Sequence, residues 1–263
     1  MAVDMIWKGY YIMMVIEWYF LAGFFMVALL YASVGHGGAS GYLALMSFFC
    51  ITPELMSASA LILNLLVSGL AFFQFHKKGY FSWNLTWPFL VMSIPAAFLG
   101  GLIKINPQTY TILLMIILVY ASIRLMMTTI MQNKGIIVFK QPSIIMAIAV
   151  GTVIGLISGI VGVGGGIFLS PILILLCWAD AKSTSATSAC FIWCNSLAGL
   201  AGRLFSKSLV FENTLQFMPI VCVAFIGGWL GSYLGANKFT SKALRVVLAL
   251  VLMLAVGKMV QKL

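Results

Sequence analysis

The chain has 263 residues, 63% of them apolar and 8% charged, and a formal net charge of +10. Ordinary soluble domains carry roughly 25% charge, so this composition excludes a water-soluble domain and makes lipid the expected solvent. The 15 Lys and Arg and the 5 Asp and Glu fall mostly in short gaps between apolar runs. No basic patch interleaves with aromatics, which argues against nucleic acid as a partner despite the charge.

The N-terminus mixes Asp4, Lys8 and Glu17 with aromatics and offers no small-residue cleavage site, so the first helix is expected to be retained as a signal anchor. Apolar runs of about 20 residues, read as spans, predict an all-α polytopic membrane protein of about eight transmembrane segments. In chain order these are residues 12–50, 54–75, 83–103, 108–130, 143–178, 184–205, 214–236 and 241–260. Polar punctuation separates them, notably His76-Lys77-Lys78-Gly79, Asp180-Ala181-Lys182 and Asn237-Lys238, and Trp83, Trp87 and Trp178 stand near segment ends as an interfacial belt.

Sliding the chain against itself by about 127 positions superposes three landmarks. Gly35-His36-Gly37-Gly38-Ala39 falls on Gly162-Val163-Gly164-Gly165-Gly166, Ala58-Ser59 falls within one residue of Ala186-Thr187, and Gly100-Gly101 falls on Gly227-Gly228. The expectation is two related four-segment halves, residues 1–132 and 143–263, joined by a linker at 133–142.

Residues 18–50 as one straight helix would measure about 50 Å at ~1.5 Å per residue, against a hydrocarbon core of ~30 Å. The helix must break, and Gly35, Gly37, Gly38 and Gly41 mark the place, as Gly159, Gly162, Gly164, Gly165 and Gly166 do in the second half. Unwound backbone at membrane depth survives only when buried in protein or lining a watery cavity. Each break exposes the N-terminus of a following half-helix, about Ser40–Cys50 and Ile167–Leu176, whose free N–H groups and positive dipole end attract anions. Paired breaks in matching positions of two repeats point to a transporter's binding site. Neither glycine run continues as Gly-Lys-Ser/Thr, so neither is a nucleotide loop.

The second motif, Ser158-Gly159-Ile160-Val161-Gly162-Val163-Gly164-Gly165-Gly166 with Pro171, resembles the signature of the TauE/SafE-type sulfite exporter family, and the first motif is its weaker partner. Ala186-Thr187-Ser188 and the glycines at 227, 228, 231 and 235 extend the resemblance over nearly the whole chain. It implies a bacterial-type inner-membrane carrier, an exporter, of small sulfur-containing anions such as sulfite, thiosulfate or organosulfonates. Glycines supply backbone donors rather than a side-chain code, so the resemblance carries a substrate class and no single anion. The first half departs from the pattern with His36 inside the break and Ala39-Ser40 where the second half has Gly166-Ile167.

The candidate substrate-binding residues are Ser33, Gly35, His36, Gly37, Gly38, Ser40 and Asn64 in the first half, and Ser158, Gly162, Gly164, Gly165, Gly166, Thr187 and Asn195 in the second. His36 can hold an anion or a coupling proton near neutral pH, or simply donate to a backbone carbonyl. The amides and hydroxyls, with Ser188 and Ser196 beside them, can donate to sulfonate oxygens or tie helices together. Arg124 and Arg203 sit near helix ends and are expected to snorkel to the interface. No Asp or Glu falls in a helix centre, so the acid pair of an enzyme is missing. No cofactor or metal is expected, and Cys190 and Cys194, one turn apart, read as small buried hydrophobes.

If each of eight segments crosses once, nine Lys and Arg lie on one side and five on the other, which places both termini in the cytoplasm. If the glycine segments enter and return as hairpins, the repeats are inverted and the charge bias nearly vanishes. Two other readings compete: a metal transporter using His36 with Met and Cys, and a non-transporting scaffold in which the glycines are only packing surfaces.

Overall fold

The computed structural model describes residues 18–48, 53–130, 139–206 and 214–237, which form nine α-helices with no strand among them. In chain order these are α1 (Trp18–Ala32), α2 (Ala39–Phe48), α3 (Pro53–Lys77), α4 (Trp83–Leu102), α5 (Pro107–Ile130), α6 (Ile144–Val161), α7 (Gly166–Leu175), α8 (Ala181–Phe205) and α9 (Thr214–Asn237). Both over-long segments break at their glycines, 12–50 into α1 and α2, and 143–178 into α6 and α7. The half-helices begin one residue earlier than expected, at Ala39 and Gly166. The expected segment 241–260 and most of the linker 133–142 lie outside the described residues.

Among the described residues, four stretches are long and apolar enough to cross a membrane: Leu55–Lys77, Trp83–Leu102, Ile144–Val161 and Phe217–Asn237. The polarity of the packing agrees with a lipid solvent. Asn64, Ser68, Ser93, Ser158, Thr187, Ser188, Asn195 and Ser196 are fully buried, while Trp83, Ile94, Ile145, Trp193 and Trp229 face outward. Polar groups inside and large apolar side chains outside invert the arrangement of a water-soluble fold.

Four-residue glycine spacing brings helices into backbone contact. Gly151, Gly155 and Gly159 lay α6 on the carbonyls of Phe89, Ser93 and Ala97 in α4, and Gly227, Gly231 and Gly235 lay α9 on those of Phe25 and Leu29 in α1 and of Ser33 just past its end. The contiguous glycines of the breaks do something different. They end one helix and start another inside a single apolar cluster that includes Phe24, Tyr31, Tyr42, Leu63, Val161 and Val163.

Candidate functional site

At the first break, the N–H of His36 returns to the carbonyl of Tyr31 (2.9 Å) and that of Gly35 to Ala32 (3.1 Å), the paired closure of a Schellman end. Gly35 supplies the left-handed backbone at φ 76°, and a second turn at Gly38, φ 96°, aims the chain into α2. The second break repeats the device: Gly162 caps α6 at φ 85°, and Gly165, at φ 81°, starts α7. Every residue from Gly35 to Gly41 and from Val161 to Ile167 is buried except His36, which is half-buried. The irregular backbone therefore has protein around it, as a break inside a bilayer requires. Among the described residues, the N–H groups of Gly37, Gly38, Gly164 and Gly165 have no acceptor.

The two breaks meet at Asn64 of α3. Its Oδ1 accepts from the N–H of Ala39, the first residue of α2 (3.0 Å), and its Nδ2 donates to the carbonyl of Val163 in the second break (3.0 Å). One amide thus caps a half-helix on one side and holds the unwound chain on the other. Gly37 and Gly164 lie against its oxygen and nitrogen, where any side chain would displace it.

His36 makes a second crossing. Its Nδ1 lies 3.0 Å from the carbonyl of Val34, and its Nε2 3.0 Å from Ser170 Oγ on α7. A carbonyl only accepts, so Nδ1 carries a hydrogen. Ser170 Oγ also lies 2.8 Å from the carbonyl of Gly166 and 2.7 Å from Ser188 Oγ on α8. A neutral imidazole accepts the Ser170 proton at Nε2. An imidazolium donates there instead, which turns the Ser170 proton towards Gly166. The edge of Tyr31 covers the ring at 6.4 Å, and the Tyr31 hydroxyl is bonded to Ser40 at 2.6 Å.

The other candidates divide. Ser158, Ser196 and Gly166 adjoin the second break. Ser158 Oγ and Ser196 Oγ are buried with no hydrogen-bond partner among the described residues. Gly35 and Gly162 press on the backbones of Ser185 and Ser57. Ser33 bonds back to Leu30 (2.7 Å). Thr187 meets Thr86 of α4 at 3.2 Å, so it serves the α4–α8 seam. Asn195 spends its amide on Phe191 (2.9 Å), one turn back, and leaves Oδ1 buried without a partner. Ser170, the link to His36, escaped the sequence reading because it sits in an apolar run directly before Pro171.

Arg203 corrects an expectation. It does not snorkel: it is 7% exposed, and its guanidinium donates to the carbonyls of Gly159 (3.0 Å) and Ile160 (2.6 Å), in the last turn of α6. That turn ends inside the protein, so its carbonyls and negative dipole end need a buried cation. The side chain of Arg124 lies outside the described residues. Arg203→Met should lower stability by about 2–3 kcal/mol, the cost of charge-assisted bonds to carbonyls left buried. Thermal unfolding in detergent reads this, and an unchanged midpoint would show that Arg203 does not hold α6.

The sequence pattern of the family described as "Sulfite exporter TauE/SafE" matches residues 19–259. A Sinorhizobium fredii protein, "Probable membrane transporter protein y4hK", is 36% identical over 233 residues, covering 88% of this chain and 93% of the relative. A Bacillus subtilis protein, "Probable membrane transporter protein YunE", is 25% identical over 227 residues, covering 78% and 80%. No solved structure matches. A multi-pass helical chain whose match to this family runs almost end to end belongs to the TauE/SafE sulfite exporter family of membrane transporters.

Proposed function

We propose that this transporter carries a small sulfur-containing anion, of the sulfite, thiosulfate or organosulfonate class, through one central site formed where its two glycine breaks meet. The observation that carries the reading is Asn64, bonded to both breaks at once. Gly37 and Gly164 lie against it, Ser196 and Ser158 adjoin Gly164 and Gly165, and the hydroxyls of Ser170 and Ser188 continue from the start of α7 to His36. Among the described residues this is a buried, donor-rich cluster without carboxylates, suited to sulfur oxyanion oxygens.

The two halves are repeats in this proposal. In support, α2 and α7 have 10 residues each and α3 and α8 have 25 each. The left-handed glycines Gly162 and Gly165 stand 127 positions after Gly35 and Gly38. We place the protein in the plasma (inner) membrane with cytoplasmic termini. Its solute movement is coupled to a proton at His36, whose protonation reverses the hydrogen bond to Ser170 and turns the Ser170 proton to the Gly166 carbonyl.

The test is flux in proteoliposomes. Sulfite, thiosulfate and a simple organosulfonate are each loaded on one side, and transport is followed across pH 5.5–8. At least one should move well above empty vesicles and thermally stabilise the purified protein. His36→Ala should flatten the pH dependence of that flux. Stabilisation by soft metal ions alone, or by none of these solutes, overturns the anion site, and an unchanged pH profile removes His36 from coupling.

A further inference from the structure

Away from the breaks, α3, α4 and α8 enclose an apolar groove of about 620 Å³, within the range of ligand sites at roughly 300–1,000 Å³. Phe72 of α3 and Phe81 stand at one end with Trp83 and Trp87, Val91 and Pro95 follow along α4, and α8 supplies Trp193 and the two cysteines. Trp83, Val91 and Trp193 are more than 40% exposed, so the groove opens to the side of the molecule. Pro88 and Pro95 lie inside α4. Each lacks an N–H and so interrupts the helix ladder and bends the wall.

Two features fix what would lie in it. The first is depth. From Trp83 to Pro95 the α4 wall descends ~18 Å at ~1.5 Å per residue, slightly more than half of a ~30 Å hydrocarbon core. That is the reach of one leaflet, entered past a pair of tryptophans of the kind that mark the interface.

The second is charge. α3 ends beside the groove in a Schellman closure, Gly79 N–H to His76 (2.9 Å) and Tyr80 N–H to Phe75 (3.2 Å), which leaves His76, Lys77 and Lys78 exposed at the mouth. The His76 ring lies 5.5 Å from Phe72 and 5.5 Å from Phe81, both of them groove walls, so the basic cluster begins against the apolar wall and continues through Lys77 and Lys78 next to it in the chain.

We propose that this groove is a binding site for an anionic phospholipid, with its phosphate at His76, Lys77 and Lys78 and one acyl chain laid along α4 towards Cys190 and Cys194. Lysines recognise phosphate as point charges on flexible stems, and juxtamembrane basic clusters select anionic lipids. The site is independent of what the glycine breaks carry.

Quenching of tryptophan fluorescence by brominated lipids tests it. The full chain in phosphatidylcholine vesicles is titrated with phosphatidylglycerol or phosphatidylcholine brominated in the acyl chains. The anionic lipid should quench at a mole fraction at least fivefold lower than the neutral one. Lys77→Gln with Lys78→Gln should bring that ratio close to one. Val91→Phe, which narrows the groove and leaves the charges in place, should also abolish the steep component. All three positions are exposed, so the variants should keep the parent thermal midpoint. Equal quenching by the two lipids, or a preference that survives the lysine changes, overturns the proposal. So does loss of quenching with concentration-dependent cross-linking through Cys194, which would assign the face to a second copy of the chain.

Discussion

Asn64→Leu should cut transport by at least tenfold while the protein still inserts and purifies. The substitution keeps the side-chain volume and removes both bonds, leaving the Ala39 N–H and the Val163 carbonyl buried and unpaired. Each such group costs about 1–3 kcal/mol. The loss should appear both in thermal stability and in the geometry of the breaks. Asn64→Asp separates these effects. Ionised, its carboxylate still accepts from Ala39 but faces the Val163 carbonyl without a proton and repels an incoming anion. Protonated, it accepts at one oxygen and donates at the other, reproducing the amide. Flux through Asn64→Asp should therefore recover as the pH falls, while Asn64→Leu stays inactive at every pH. If Asn64→Leu transports at the parent rate, the bridge between the breaks has no part in function.

The breaks themselves were legible in the sequence because length and glycine content are local facts. An apolar run too long for a bilayer has to be interrupted, and the clustered glycines marked where. What joins them was not legible. Asn64 reaches Val163 across 99 positions, and His36 reaches Ser170 across 134, so neither partner announces itself at helical spacing. Asn64 could be singled out as an amide in an apolar helix, but so could Asn195, which folds back on its own helix. Arg203 misled for a related reason. Snorkelling assumes that the nearest polar surroundings are water, whereas the interrupted end of α6 offers carbonyls inside the protein. Thr187 belongs to the motif Ala186-Thr187-Ser188, yet its neighbour Ser188 is the one that faces α7 and Ser170.

Glycine substitutions separate backbone geometry from site chemistry. Gly35, Gly79, Gly162 and Gly164 all have φ between 76° and 85°, where a side chain costs about 1–2 kcal/mol. Their surroundings differ. A Cβ at Gly79 meets nothing within 4 Å, so Gly79→Ala should lose only that amount and keep full transport. At Gly35 and Gly162 the Cβ runs into the backbone of Ser185 and Ser57, which cannot rotate away, adding an overpacking cost of about 1–3 kcal/mol. Those variants should lose several kcal/mol in total, a large share of a typical stability of about 5–15 kcal/mol, and should give little monodisperse protein in detergent. Gly164→Ala meets the side chains of Asn64, Ile192 and Ser196 instead, which can move. It should purify with a modest drop in thermal midpoint but transport as poorly as Asn64→Leu, because the atom it displaces is the amide nitrogen that holds Val163. If Gly79→Ala destabilised the protein as much as Gly35→Ala, the left-handed backbone alone would set the cost, and close packing of the breaks on α3 and α8 would have no energetic part. If Gly164→Ala retained transport, the contact between Gly164 and Asn64 would be packing without a role in the site.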